Sequence, residues 1–104
     1  MAQLDEVVHQ PIRLRLMAAL VALKGDNSVD FTYLRDLLGL TDGNLGAHLH
    51  RLEEAGYIRI IKTFVDRKPR TYVEATARGR EVFRNHVAAL EEILRSSPGS
   101  KNKK

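Results

Sequence analysis

The stretch Thr41-Asp42-Gly43-Asn44-Leu45-Gly46-Ala47-His48-Leu49-His50-Arg51-Leu52-Glu53-Glu54-Ala55-Gly56 decides the fold. Leu45, Leu49 and Leu52 recur at i, i+4 and i+7, so one face of a helix is apolar. Thr41 reads as its N-cap, Asp42 suits the positive helix end, and Gly56 closes it after about Ala55. The opposite face carries Gly43, Asn44, Ala47, His50, Arg51 and Glu54, which are short or polar. Just upstream, Asp30 or Thr32 caps a shorter helix in which Phe31, Leu34, Leu37 and Leu38 keep the helical period. Gly39 suits a left-handed C-terminal position. Only Gly39-Leu40 joins the two helices, which leaves room for nothing but a tight crossing, a helix-turn-helix.

Residues 11–24 predict another helix. Pro11 fits its first position, and Ile12, Leu16, Leu20 and Leu23 form one stripe beside a second of Leu14, Met17 and Val21. A helix apolar on two sides is surrounded by protein. Leu4, Val7 and Val8 suggest a short helical turn before it. After Gly56 the period changes. Tyr57 to Val65 reads as a strand with a bulge near Ile60-Ile61, Asp66-Arg67-Lys68-Pro69 as a turn, and Arg70 to Ala75 as a second strand. Thr76 caps a last helix over about 77–95. The predicted class is mainly α with a two-stranded β ribbon, in the order helix, helix, helix, strand, strand, helix.

The outer face of helix 41–55 is suited to nucleic acid. A helix entering a major groove about 12 Å wide must bring its backbone near the base edges, and Gly43, Gly46 and Ala47 permit that. Asn44 can pair with adenine, Arg51 can reach guanine or phosphate, and His50 can contact either. His48 lies at the edge of the leucine face, in position to donate to a phosphate. The ribbon that follows holds Arg59, Lys62, Arg67, Lys68 and Arg70 against the single acid Asp66, a cluster suited to phosphate neutralisation. Its tip suits a minor groove.

These blocks resemble the small stand-alone winged helix-turn-helix transcriptional regulators related to the MarR and ArsR groups. The resemblance runs through Pro11-Ile12-Arg13-Leu14-Arg15-Leu16, Asp30-Phe31-Thr32-Tyr33-Leu34, Leu40 to Leu49, Leu52 to Ile58, Lys68-Pro69-Arg70-Thr71 and Ala75 to Arg80, about residues 9 to 95 in all. It implies DNA contacts at Thr41, Asn44, Ala47, His48 and Arg51 and a wing at Arg67, Lys68 and Arg70. The chain is expected to hold one winged-helix DNA-binding domain over 1–95, ending in a dimerisation helix over about 77–95, and the low-complexity composition of 96–104 predicts a disordered basic tail. The cysteine or clustered histidine and acid ligands of ArsR-type metal sensors are missing, so neither metal nor cofactor is expected. Most MarR-type proteins are longer, with extra helices around an effector pocket; relatives that bind effectors suggest a small-molecule site between the first and last helices of two chains.

The last helix predicts a twin. Phe83, Val87, Leu90 and Leu94 form one stripe and Val82, Ala89 and Ile93 another, and one stripe would cover the domain. A two-fold dimer would set two reading helices about 34 Å apart on a near-palindromic operator. The resulting expectation is a cytoplasmic, homodimeric, sequence-specific repressor of local genes with no enzymatic activity. The alternative is a winged-helix protein–protein module whose basic ribbon meets an acidic partner.

Composition constrains this further. The chain has 104 residues, no cysteine and a formal charge of +4, but Arg95, Lys101, Lys103 and Lys104 account for that whole excess. A DNA-binding role therefore rests on where the charges lie. No apolar run is long enough for a membrane span, and the N-terminus lacks the marks of a secretory signal. The acids are scattered, which argues against a hydrolase or nuclease. Gly39, Gly43 and Gly46 lack the Gly-Lys-Ser/Thr of a phosphate-binding loop. His48 and His50 point about 200° apart on a helix and cannot share a metal. His9 and His86 read as isolated.

Overall fold

The computed structural model describes residues 4–23 and 27–96; the predicted tail beyond Ser96 lies outside them. The elements run α1 (Glu6–His9), α2 (Pro11–Val21), β1 (Val29–Asp30), α3 (Phe31–Leu38), α4 (Asp42–Glu54), β2 (Ile58–Val65), β3 (Lys68–Ala75) and α5 (Ala77–Ser96). Each predicted helix forms, with Asp30, Thr41 and Thr76 capping where the sequence places them and Gln10 adding a cap that the sequence reading does not name. Gln10 accepts the Arg13 N–H at 2.9 Å ahead of Pro11, Asp30 accepts the Thr32 N–H at 2.7 Å, and Thr41 Oγ1 accepts the Asn44 N–H at 3.1 Å. Gly39 ends α3 in the left-handed region. Thr76 Oγ1 accepts the Gly79 N–H at 2.9 Å to start α5.

The core gathers Leu16, Met17 and Leu20 of α2, Leu34 of α3, and Leu45, Leu49 and Leu52 of α4 over Ile58 and Val73 of the sheet. The three leucines of α4 are buried, so its apolar stripe faces inward as expected. Leu37 does not follow the predicted stripe of α3. It is 50% exposed, because Phe31, Leu34 and Leu38 already fill the inner face of that two-turn helix. α2 stops at Val21, short of the predicted residue 24. The Arg80 guanidinium takes the carbonyls of Val21 and Leu23 at 3.2 and 3.0 Å, which seals this helix end.

The sheet departs from expectation in three ways. It has a third strand, since β1 pairs antiparallel with β3 through Val29–Val73 and Asp30–Tyr72. A two-residue strand carries no periodicity to read. The β2–β3 register is continuous from Ile58–Ala75 to Val65–Lys68, so there is no bulge at Ile60-Ile61. The outer half of the ribbon is exposed on both faces, and apolar parity there reports no packing. Finally, the turn is the two residues Asp66-Arg67, both with positive φ (53° and 69°), while Lys68 and Pro69 belong to β3. That conformation matches the twist of the ribbon and usually favours glycine at the second position.

α5 buries Gly79, His86 and Ala89 as its central line, half-buries Val82, Phe83, Val87 and Leu90, and leaves Ile93 and Leu94 51% and 64% exposed. His9 and His86 are not isolated: their rings lie 5.3 Å apart. The fully buried His86 accepts the Asp5 backbone N–H on Nδ1 at 3.1 Å. Its proton is therefore on Nε2, 3.4 Å from His9 Nδ1. Asp5 also caps α1 and accepts the Tyr57 hydroxyl at 2.6 Å. The N-terminal turn is thus tied to both α5 and the start of the ribbon.

Burial, and then the neighbouring His9, hold the His86 imidazole below its ordinary pKa; burial, and then Arg13, do the same to His48. A depressed imidazole pKa means that the unfolded chain binds more protons below about pH 6.5. Their stabilising contribution is complete above that pH and is lost as pH falls through the folded values. The unfolding free energy should fall between pH 7 and 5, by at most about 1.4 kcal/mol per pH unit for each histidine, and the melting temperature should fall with it. His86→Asn, which keeps an acceptor for the Asp5 N–H, should flatten the decline. An equal decline in this variant would place the sensitivity elsewhere.

Candidate nucleic-acid interface

α4 stands with Leu45, Leu49 and Leu52 in the core and Gly43, Asn44, Ala47, His50, Arg51 and Glu54 exposed. Its N-terminus is held from α3, where Arg35 bonds Asp42 at 2.8 Å while also reaching Asp36 at 3.1 Å. The Thr41 hydroxyl is exposed but engaged as the cap. Asn44, Ala47 and Arg51 share the outward arc. His50 turns toward the ribbon, with Nε2 3.2 Å from Glu54. His48 turns the other way, half-buried against α2, with Nδ1 3.3 Å from an Arg13 guanidinium nitrogen.

Alternation divides the ribbon's charges between its faces. Ile58, Ile60, Lys62 and Phe64 share the face that starts in the core, opposite Ala75, Val73, Thr71 and Pro69. Beyond the core this face looks across at α4. A cleft of about 510 Å³ lies between them, floored by Phe31, Leu49 and Ile60 and walled by Gly46, His50 and Glu53 on one side and Lys62 and Thr71 on the other. Arg59, Lys68 and Arg70 belong to the other face. Two of the predicted cations have partners there: Arg59 pairs with Glu74, and Arg70 with Asp30 at 2.9 Å. Lys62, Arg67 and Lys68 make no ion pair among the described residues. The local excess of charge is therefore smaller than the sequence suggests and is concentrated at the tip and on the side facing α4.

Most of the predicted contact residues thus fall into connected zones, the outward arc of α4, the cleft, and the ribbon's tip with its second face, while His48 lies apart from them on the α2 side of α4. An exposed helix face with short side chains, flanked by a ribbon whose Lys62, Arg67 and Lys68 make no ion pair among the described residues, suits the shape and charge of a duplex groove. The sequence of residues 12–94 matches the model of the winged helix DNA-binding domain family. The chain belongs to that family.

This winged-helix chain is 30% identical over 91 residues to an uncharacterized protein of Methanocaldococcus jannaschii, covering 88% of the chain and 96% of that relative. A transcriptional regulator homologue from Pyrococcus horikoshii superposes with a TM-score of 0.79 at 31% identity, over 86% of each chain. A homodimeric winged helix-turn-helix DNA-binding domain from Mycobacterium bovis, described as a possible ArsR-family regulator, shares the fold. Its TM-score is 0.67 at 14% identity, over 89% of this chain and 80% of that one. The family assignment makes the protein a winged-helix DNA-binding protein, and the Pyrococcus horikoshii protein it resembles is described as a transcriptional regulator homologue. No cluster of three or more potential metal ligands occurs among the described residues, and none of their helices is long and apolar enough to cross a membrane.

Arg13 joins the site in the structure without being legible as a site residue in the sequence. It occupies a polar position within an apolar helix pattern, and nothing local to it signals contact with a histidine thirty-five positions away.

Proposed function

We propose that the protein is a homodimeric, sequence-specific regulator of transcription that acts as a repressor in the cytoplasm. α4 enters the major groove of a near-palindromic operator, and the wing lies along the backbone and minor groove. The observation that carries this reading is the pairing of an open α4 face, at Asn44, Ala47 and Arg51, with wing cations Lys62, Arg67 and Lys68 that make no ion pair among the described residues. Base contacts would come from Asn44 and Arg51, while the wing would supply affinity independent of sequence. Thr41, His48 and His50 would contact nearby backbone or base edges, and Arg70 would orient the wing through Asp30.

The dimer is supported by exposed Ile93 and Leu94 at the end of α5, continuous with half-buried Val82, Phe83, Val87 and Leu90. The homodimeric Mycobacterium bovis domain of like fold supports the same arrangement. Repression requires only that the bound dimer obstruct its site. A small-molecule effector would sit between the first and last helices of the two chains; an open recess of about 890 Å³ runs along α1 and the start of α2, between Leu4 and Leu14, and includes no residue of α5.

Asn44→Ala tests base reading. It should cost about 1–3 kcal/mol at one base position and leave non-specific binding unchanged, as measured by competition among duplexes with single-base substitutions. A uniform loss across all sequences would make Asn44 a backbone contact.

A further inference from the structure

The tip of the ribbon carries apolar side chains where charge alone would serve a phosphate backbone. Phe64 is 70% exposed and Val65 39% exposed, and both lie beyond Ile60, where the ribbon leaves the core. Their setting is stiff. Asp66 and Arg67 make a two-residue turn with both φ positive. The Thr76 N–H bonds the Tyr57 carbonyl at 3.0 Å, and alternation from that pair makes Val65 and Lys68 a hydrogen-bonded pair that closes the hairpin. Phe64 and Pro69 are then a non-hydrogen-bonded pair, the kind in which facing side chains come closest. Proline has no amide hydrogen, and at this position it takes no bond from the β2–β3 ladder. Phe64 thus stands opposite a rigid ring, one residue pair behind the turn, on the face of the ribbon that looks toward α4.

The charges around this pair select its partner. Lys62 shares the face of Phe64, and Arg67 and Lys68 flank the tip; none of the three makes an ion pair among the described residues, and Asp66 is the one acid between Lys62 and Arg70. An exposed aromatic ring bordered by free cations suits a polyanion with an apolar interior, which a duplex is: phosphates outside, stacked base faces within. The minor groove is about 6 Å wide, too narrow for a two-stranded ribbon with its side chains unless the groove is opened. An apolar wedge pushed between base pairs opens it and bends the duplex toward the major groove, where the reading above places α4. We propose that Phe64, backed by Pro69, is such a wedge: it enters a base step in the minor groove, unstacks it and kinks the DNA. The wedge rests on the DNA-binding reading and adds to it a source of sequence preference that needs no hydrogen bond to a base, because TA and CA steps unstack more easily than others.

The test uses the full chain and two duplexes of about 30 base pairs, dye-labelled at both ends, one rich in TA and CA steps and one built of A-tracts. Energy transfer between the dyes reads the bend. The wild type should bend the first duplex by about 20–90° and prefer it to the second. Phe64→Ala should lose the bend and the preference and bind the first duplex about tenfold more weakly. Its melting temperature and its slope of log K against log salt should stay those of the wild type, since an exposed apolar side chain holds no core together and releases no counterion. Phe64→Trp should keep the bend. Phe64→Lys should lose it while steepening the slope by about 0.9. If the wild type binds duplex without bending it, or Phe64→Ala bends it equally, the wedge is wrong while the DNA-binding reading survives. If Phe64→Ala changes only self-association in sedimentation, this face joins two protein chains and the proposal also fails. If the wild type binds neither duplex at any salt, the underlying reading falls and takes the wedge with it.

Discussion

Reversing the three unpaired wing cations together, Lys62→Glu, Arg67→Glu and Lys68→Glu, should reduce duplex affinity roughly 10²- to 10³-fold or more near 0.1 M salt. Each charge-assisted hydrogen bond to a phosphate is worth about 1.5 kcal/mol or more, and each new carboxylate adds repulsion from the phosphates. The salt slope should become shallower by about 0.9 for every phosphate no longer neutralised. The choice of residues follows from the structure. Arg70 is held by Asp30 and Arg59 by Glu74, so reversing either would break an ion pair within the sheet as well as remove a cation. Lys62, Arg67 and Lys68 are exposed and carry no such role, so the triple variant should melt close to the wild type. Fluorescence anisotropy against salt concentration measures both affinity and slope. Unchanged affinity would remove the wing from the mechanism.

Gly79→Ala should cost several kcal/mol, a large part of what a domain of this size has to lose. Gly79 lies in the first turn of α5, where a Cβ would sit 2.0 Å from the Tyr57 carbonyl oxygen and 2.8 Å from its carbon. Those are backbone atoms and cannot rotate away. The same carbonyl accepts the Thr76 N–H at 3.0 Å, and the Tyr57 hydroxyl binds Asp5. Pushing α5 off this corner would disturb its cap, the start of the ribbon and the N-terminal tie at once. Gly43 and Gly46 provide the contrast, since a Cβ at either meets nothing within 4 Å. Alanine there should stabilise α4 by about 0.5–1 kcal/mol. Urea unfolding of the three variants measures the difference. A Gly79→Ala protein as stable as the wild type would contradict the close packing of α5 on the ribbon.

The helix-turn-helix is legible in the sequence because its signals are local: a cap, a leucine period and a left-handed glycine recur within a few residues of one another. The burial of Leu45, Leu49 and Leu52 follows from that period alone. The ribbon is legible only as far as the core extends. Past Ile60, inward and outward no longer differ in burial, so alternation cannot reveal the register, and the turn is two residues shorter than its composition predicts. Features made by distant segments are unreadable. The Val29–Val73 pairing, the contact of His9 with His86 and the reach of Arg13 to His48 each join positions far apart in the chain. The basic stretch read alone also overstates the charge of the wing, because Glu74 and Asp30, which offset Arg59 and Arg70, lie outside it.

The most direct measurement is selection of bound sequences from a random duplex library by the full-length protein at near-physiological salt. A dimer reading DNA through α4 should enrich a near-palindrome with half-sites about one helical turn apart, and Asn44→Ala should relax one position in each half-site. Recovery of a library indistinguishable from the input would contradict sequence-specific recognition by this surface.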